Sequence, residues 1–255
     1  MTRLEPGSPE ARIDSGRVLQ ASGVVKRYGE LVVLGGVDLA LGPREAVGIV
    51  GPNGAGKTTL LSVLAGTVPC DAGTVRFRNE DVTGVPADRR CRLGIARAYQ
   101  VPRPFGGMTV LENVIVGATH GANLRGQAAY ERSIEVLEQC DLLDVANRRA
   151  ESIGLLHRKR LELARSLATD PAVLLLDEIG AGLTDAEAGE LVVTIKELNG
   201  RGVAVIWIEH IVHVLVQVVG RLVCMDAGRV IADGEPAAVM EDASVIDAYL
   251  GRGAG

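Results

Sequence analysis

Residues 51–59 read Gly-Pro-Asn-Gly-Ala-Gly-Lys-Thr-Thr, after the apolar run Val47-Gly48-Ile49-Val50 and before Leu60, Leu61, Val63 and Leu64 at helical spacing. This is a strand, a glycine-rich loop and a helix. The spacing Gly51-x4-Gly56-Lys57-Thr58 is that of a phosphate-binding loop, in which glycines let successive backbone N–H groups turn inward around a polyphosphate. The helix that follows adds its positive N-terminal end. Candidate nucleotide-binding residues are therefore Gly51, Pro52, Asn53, Gly54, Ala55, Gly56, Lys57, Thr58 and Thr59. Lys57 is placed to reach the β and γ phosphates, and the Thr58 hydroxyl to ligate a Mg²⁺ that bridges phosphate oxygens. The alternative is a glycine turn with a stray lysine. With 32 Gly and only four Lys in 255 residues, a chance match is on the order of one chain in a hundred. A nucleoside triphosphate is the expected ligand.

Downstream, Val173-Leu174-Leu175-Leu176-Asp177-Glu178 is a continuous apolar run ending in two carboxylates, as a central parallel strand would. Behind a phosphate loop, Asp177 is the candidate for holding Mg²⁺ and Glu178 for orienting the attacking water. Val203 to Ile208 is a second buried strand and ends in Glu209-His210. A neutral imidazole there could bond a phosphate oxygen. His210 and His213 alone make no metal site. Gln100 ends the strand candidate Gly94–Tyr99, just before Pro102 and Pro104. It could touch Mg²⁺ or its water, or be an ordinary loop residue. Tyr28, on an expected turn Lys26–Gly29 upstream, could stack on a base or be half buried in a sheet.

With 47% hydrophobic residues the chain can bury a large core, and a net charge of −5 without blocks of like charge argues against nucleic acid as a partner. Cys70, Cys91, Cys140 and Cys224 have no C-x-x-C spacing and are read as reduced thiols. No window approaches the roughly 18 apolar residues of a spanning helix, so a membrane role would go through a partner. Residues 1–16 read as a loose tail. Short strands Val18–Ala21 and Val37–Leu41, broken at Gly35-Gly36, predict an antiparallel layer before the loop. Thr109-x-x-Glu112 and Thr184-x-x-Glu187 are capping boxes that open helices. A glycine-rich break at Gly117–Gly126 is expected to separate two helices, and residues 105–168 read as mostly helical. The prediction is an α/β fold: a P-loop NTPase core with a parallel sheet, an antiparallel β subdomain and an inserted helical subdomain. Its boundaries are 17–104 and 169–255 for the core, within one domain over 17–255, and 105–168 for the insertion.

The order Tyr28, phosphate loop, Gln100, helical insertion, Asp177-Glu178 and His210 resembles the nucleotide-binding subunit of an ATP-binding cassette transporter, from residue 17 onward. That resemblance implies adenine stacking by Tyr28, a Q-loop role for Gln100, catalysis by Glu178 and a switch role for His210. The stretches Tyr99-Gln100 with Pro102–Phe105, Met108–Val114 and Val245–Gly251 look like branched-chain amino-acid importers. The implied cofactors are ATP and Mg²⁺. The implied partners are membrane permeases, a second cassette in a dimer and, indirectly, an extracytoplasmic solute-binding protein, with the chain on the inner face of the cell membrane.

The sequence departs from the family at the signature loop. Counting back from Leu161–Arg165, that loop falls on Ile153-Gly154-Leu155-Leu156-His157, where Gly154 replaces a Ser and Leu156 a Gly. Ile179 stands where a Pro usually follows the catalytic Glu, and Thr184 where an Asp or Asn is usual. A broken signature favours a heterodimer over a homodimer. It also leaves a nucleotide-gated regulatory cassette with little turnover as a rival, beside a non-transport cassette ATPase. A GTPase is disfavoured because no N-K-x-D motif occurs.

Overall fold

A computed structural model describes residues 16–250, so the expectation for the tail falls outside them but for Gly16. In chain order the elements are β1 (Leu19–Tyr28), β2 (Leu31–Leu41), β3 (Ala46–Val50), α1 (Lys57–Ala65), β4 (Ala72–Phe77), β5 (Glu80–Asp81), α2 (Ala87–Leu93) and β6 (Ile95–Ala98). Next come α3 (Val110–His120), α4 (Gly126–Gln139), two short 3-10 turns and α5 (Leu155–Leu167). The chain closes with β7 (Val173–Asp177), α6 (Asp185–Gly200), β8 (Ala204–Ile208), α7 (Val212–Leu215), β9 (Arg221–Asp226), β10 (Arg229–Gly234), α8 (Pro236–Glu241) and α9 (Ala243–Leu250).

Two sheets result. One is antiparallel in the order β2-β1-β4-β5, and the other has the order β10-β9-β3-β8-β7-β6 and is parallel except for the β9–β10 hairpin. Strand alternation divides the second sheet between two cores. Val47, Ile49, Val173, Leu175, Ile206 and Ile208 face α1 and the antiparallel sheet, whereas Val50, Leu174, Leu176, Val205 and Trp207 face the helical side. The helical side is continuous with the apolar faces of α3, α4 and α5, so residues 110–167 share one core with the sheet. Truncating a fully buried leucine such as Leu174 or Leu176 to Ala would cost about 2–5 kcal/mol.

Two local expectations differ. The Lys26–Tyr28 stretch is not a turn: β1 runs through it, and β2 starts at Leu31 rather than Val37. Register shifts along the β1–β2 ladder absorb the glycine pair, with Gly36 at φ 90°. Likewise α3 does not break at Gly117 but runs on to His120. A Cβ at Gly117 would lie 2.6 Å from the Arg165 carbonyl oxygen, so this glycine lets α3 and α5 approach closely. Both capping boxes form: Thr109 and Thr184 accept from the Glu112 and Glu187 N–H groups, and those glutamates accept from the threonine N–H groups.

Candidate nucleotide site

The fully buried β3 delivers the chain into a loop that glycine alone can make. Gly51 has φ 141°, and a Cβ there would sit 2.0 Å from the Met225 carbonyl oxygen; at Gly56, φ 99°, it would sit 2.7 Å from that of Val33. The loop is braced from behind, because Gly228 N–H donates to the Ala55 carbonyl (3.1 Å) and Gly35 N–H to that of Gly228 (2.9 Å). A cavity of about 220 Å³ opens in front, lined by Val33, residues 53–59 and Glu178. α1 starts at Lys57 with no side-chain cap and no acidic residue in its first turn, which suits an anionic ligand. Lys57 is buried, and its Nζ donates to the carbonyls of Gly51 (2.7 Å) and Pro52 (3.1 Å). Burial pushes its pKa down, while Glu178, Cys224 and Asp177 pull it up. At the far end of α1, the buried Arg90 donates to the Val63 (2.7 Å) and Leu64 (2.8 Å) carbonyls, closing the helix that carries the loop.

β7 brings the carboxylates to the cavity. Asp177 Oδ1 accepts from the Thr58 hydroxyl at 3.2 Å, and Asp177 Oδ2 from Arg97 at 2.6 Å. Glu178 continues the ladder by donating its N–H to the Ile208 carbonyl (2.9 Å), then turns out of the sheet at φ 47°. A left-handed conformation at a non-glycine residue costs about 1–2 kcal/mol. Gln100 Nε2 donates to Glu178 Oε2 at 2.6 Å, and His210 Nε2 lies 2.9 Å from Glu178 Oε1. Two residues from two strand ends thus meet on the carboxylate that follows a third. Tyr28 ends β1 half exposed, with Lys26 Nζ 5.4 Å from its ring centroid, and is not among the residues lining the cavity.

Sequence reasoning missed three charged residues that build the site from behind. Arg97 lies on β6 and binds Asp177. Lys159, on α5, donates to the Gln100 carbonyl at 2.5 Å, and burial lowers its pKa against the pull of Glu209, Glu178 and Glu162. Glu209 Oε1 accepts from Gly180 N–H (2.7 Å) and from the Trp207 indole (3.2 Å), which ties the loop after Glu178 to the strand end before His210. In the signature region, Gly154 is the uncapped N-cap of α5, and a Cβ at Gly182, in the loop after Glu178, would lie 3.5 Å from Leu155 Cδ2.

A glycine loop between a buried parallel strand and a helix, faced by a paired aspartate and glutamate, defines a P-loop nucleoside triphosphatase. The family model described as ABC transporter matches residues 34–181, and one described as branched-chain amino acid ATP-binding cassette transporter matches residues 229–255. Among curated relatives, the high-affinity branched-chain amino acid transport ATP-binding protein LivG of Escherichia coli K12 is 35% identical over 92% of this chain and 98% of its own. The corresponding protein BraF of Pseudomonas aeruginosa is 33% identical, with the same coverage. Among solved structures, the ADP conformation of MJ1267, an ATP-binding cassette of an ABC transporter, superposes with TM-score 0.85 at 30% identity over 92% of this chain and 99% of that one. A nucleotide-free ATP-binding cassette from an ABC transporter gives TM-score 0.85 at 28% identity over 91% and 98%. The chain belongs to the ABC transporter ATP-binding cassette family, and its activity is that of an ATP-binding ATPase subunit.

Proposed function

We propose that this chain energises import of branched-chain or related hydrophobic amino acids through separate permease subunits, from the cytoplasmic face of the membrane, as half of a cassette dimer. The observation that carries the reading is the convergence of Gln100 and His210 on the two oxygens of Glu178 at the mouth of the phosphate loop. The matches to LivG and BraF support the solute class. Residues 17–104 and 169–255 would form the catalytic core, with 105–168 as the insertion that docks on the permease.

The proposed division of labour follows the chemistry. The N–H groups of residues 51–59 and Lys57 bind the β and γ phosphates, Lys57 exchanging its backbone carbonyls for phosphate oxygens. Thr58 and Asp177, already in contact, are the pair that would hold a Mg²⁺, with Gln100 adjoining through Glu178. Bound there, that ion neutralises phosphate oxygens. Glu178 aligns the water for in-line attack on the γ-phosphorus and takes its proton. The bond to the β-phosphate oxygen breaks, releasing ADP and phosphate. His210 bonds a γ oxygen, and Tyr28 stacks on the adenine.

The test is ATP turnover and leucine uptake in vesicles holding the chain with its permeases and, as the proposal favours, a different partner cassette. Lys57→Ala should abolish ATP binding, turnover and uptake together. Turnover that continues in Lys57→Ala would overturn the site. Intact ATP-driven transport of some other solute, with none of leucine, isoleucine or valine, would overturn the solute class alone.

A further inference from the structure

Arg97 is the one charged residue in the strand Ile95-Ala96-Arg97-Ala98, and alternation turns its side chain away from the Ala96 and Ala98 face toward α1. Its guanidinium is almost wholly enclosed, with side-chain exposure of 7% against 6% for Asp177. Three contacts hold it. One nitrogen donates to Asp177 Oδ2 (2.6 Å), another to Ser62 Oγ (2.9 Å), and the group lies 4.7 Å from the Tyr99 ring centroid. Ser62 in turn donates to the Thr58 carbonyl at 2.7 Å. Arg97 therefore binds Asp177 directly and reaches the backbone of Thr58 through Ser62.

We propose that Arg97 is a positioning residue for the nucleotide site: it reserves Asp177 Oδ1 for the Thr58 side and supplies a fixed counter-charge that offsets Asp177 whether or not a divalent cation is bound. The proposal rests on the reading of residues 51–59 as an ATP site. A carboxylate buried beside an incoming polyphosphate repels it, and in a partly buried site this repulsion is large. With Arg97 in place the pair is neutral, so ATP can enter ahead of, or without, Mg²⁺. Without Arg97, Asp177 loses its paired cation, and only Lys57 and a metal are left to offset it. Arg97 thus sets how strongly nucleotide affinity depends on the metal, which a residue that merely packs β6 on α1 would not do.

The experiment is a charge cycle of parent, Arg97→Met, Asp177→Asn and the double variant, reading ATP affinity in EDTA and again in excess Mg²⁺, with thermal melts to confirm folding. In Arg97→Met, affinity in EDTA should fall about tenfold or more while affinity in Mg²⁺ falls no more than about threefold, so the ratio widens. Asp177→Asn should bind ATP in EDTA more tightly than the parent, because the Arg97 cation is then unbalanced. The double variant should lose that gain. If Arg97→Met is too unstable to assay, the comparison of Asp177→Asn with the double variant decides, since neither buries an unpaired carboxylate. Equal losses with and without Mg²⁺, or a double variant that binds as Asp177→Asn does, would overturn the role of Arg97. A parent that binds no ATP in either condition would overturn the site itself, a different result from a flat cycle on a binding parent.

Discussion

Gln100 Nε2 and Glu178 Oε2 lie 2.6 Å apart, and with His210 on the other oxygen the expected general base has one partner on each oxygen and a second lone pair on each for water. Lys159 holds the Gln100 backbone from α5, so displacement of the proline-broken loop after Gln100 is mechanically linked to the helix that begins at the signature loop.

Glu178→Gln should therefore keep nucleotide binding and lose chemistry. A neutral amide can still bond Gln100 but cannot accept a proton from water, and general-base catalysis is worth roughly 10²- to 10⁴-fold. ATP affinity should stay within about threefold of the parent while turnover falls by about two decades or more. Single-turnover hydrolysis at the parental rate would remove Glu178 from the chemistry.

The first and middle glycines of the phosphate loop, Gly51 and Gly54, should respond differently to a single methyl group. At Gly51 a Cβ meets the Met225 backbone at 2.0 Å, whereas at Gly54, φ 81°, nothing lies within 4 Å. Gly54→Ala bears only conformational strain of about 1 kcal/mol. Gly51→Ala must also push β9 away, so it should cost roughly 2–4 kcal/mol and abolish ATP binding. Chemical denaturation of both variants checks the order, and a Gly54→Ala as unstable as Gly51→Ala would contradict it.

Legibility followed sequence distance. The phosphate loop, the acidic strand end of β7 and both capping boxes are local patterns, read from neighbouring residues alone. Gln100 and His210 are single polar residues at strand ends, ambiguous in isolation, and only the order of landmarks pointed to them. Arg97 left a signal, a charge inside an apolar strand, but its partner is 80 residues away in sequence, and no local pattern shows that pairing. Lys159 and Glu209 are of the same kind, buried charges whose partners come from other elements. The early start of β2 was missed because two adjacent glycines normally end a strand, while here the ladder shifts register around them.

Gly154→Ser tests the departure at the signature loop. Serine gives the uncapped N-terminus of α5 an acceptor, so the melting point should change little, by a few tenths of a kcal/mol in stability. In a dimer of this chain alone the hydroxyl would also face the γ-phosphate held by the partner copy. A charge-assisted bond made in the transition state is worth about one to two decades, so turnover should rise by about tenfold or more. Turnover that stays unchanged on restoring the hydroxyl would mean that the glycine costs nothing there, and the case for a heterodimer would go with it.

Glu209 predicts a pH signature. Burial raises its pKa above the ordinary 4.5, opposed by the Gly180 N–H and the Trp207 indole and reinforced by Glu178. A carboxyl whose pKa is higher folded than unfolded binds protons more tightly in the native state. Its contribution to stability is therefore complete below the ordinary value and is lost as pH rises through the folded one. Glu209→Gln retains an oxygen for both hydrogen bonds and never ionises. The melting temperature of the parent minus that of the variant should accordingly fall from acid to neutral pH, an effect in which other titrating groups cancel. The chain's single tryptophan, Trp207, donates to the same oxygen, so its emission should shift with pH in the parent over that range and stay flat in Glu209→Gln. A melting difference that is constant, or that grows in the parent's favour as pH rises, would show that Glu209 ionises at least as readily folded as unfolded, and that its link between the Gly180 loop and the His210 strand end carries no buried-charge penalty.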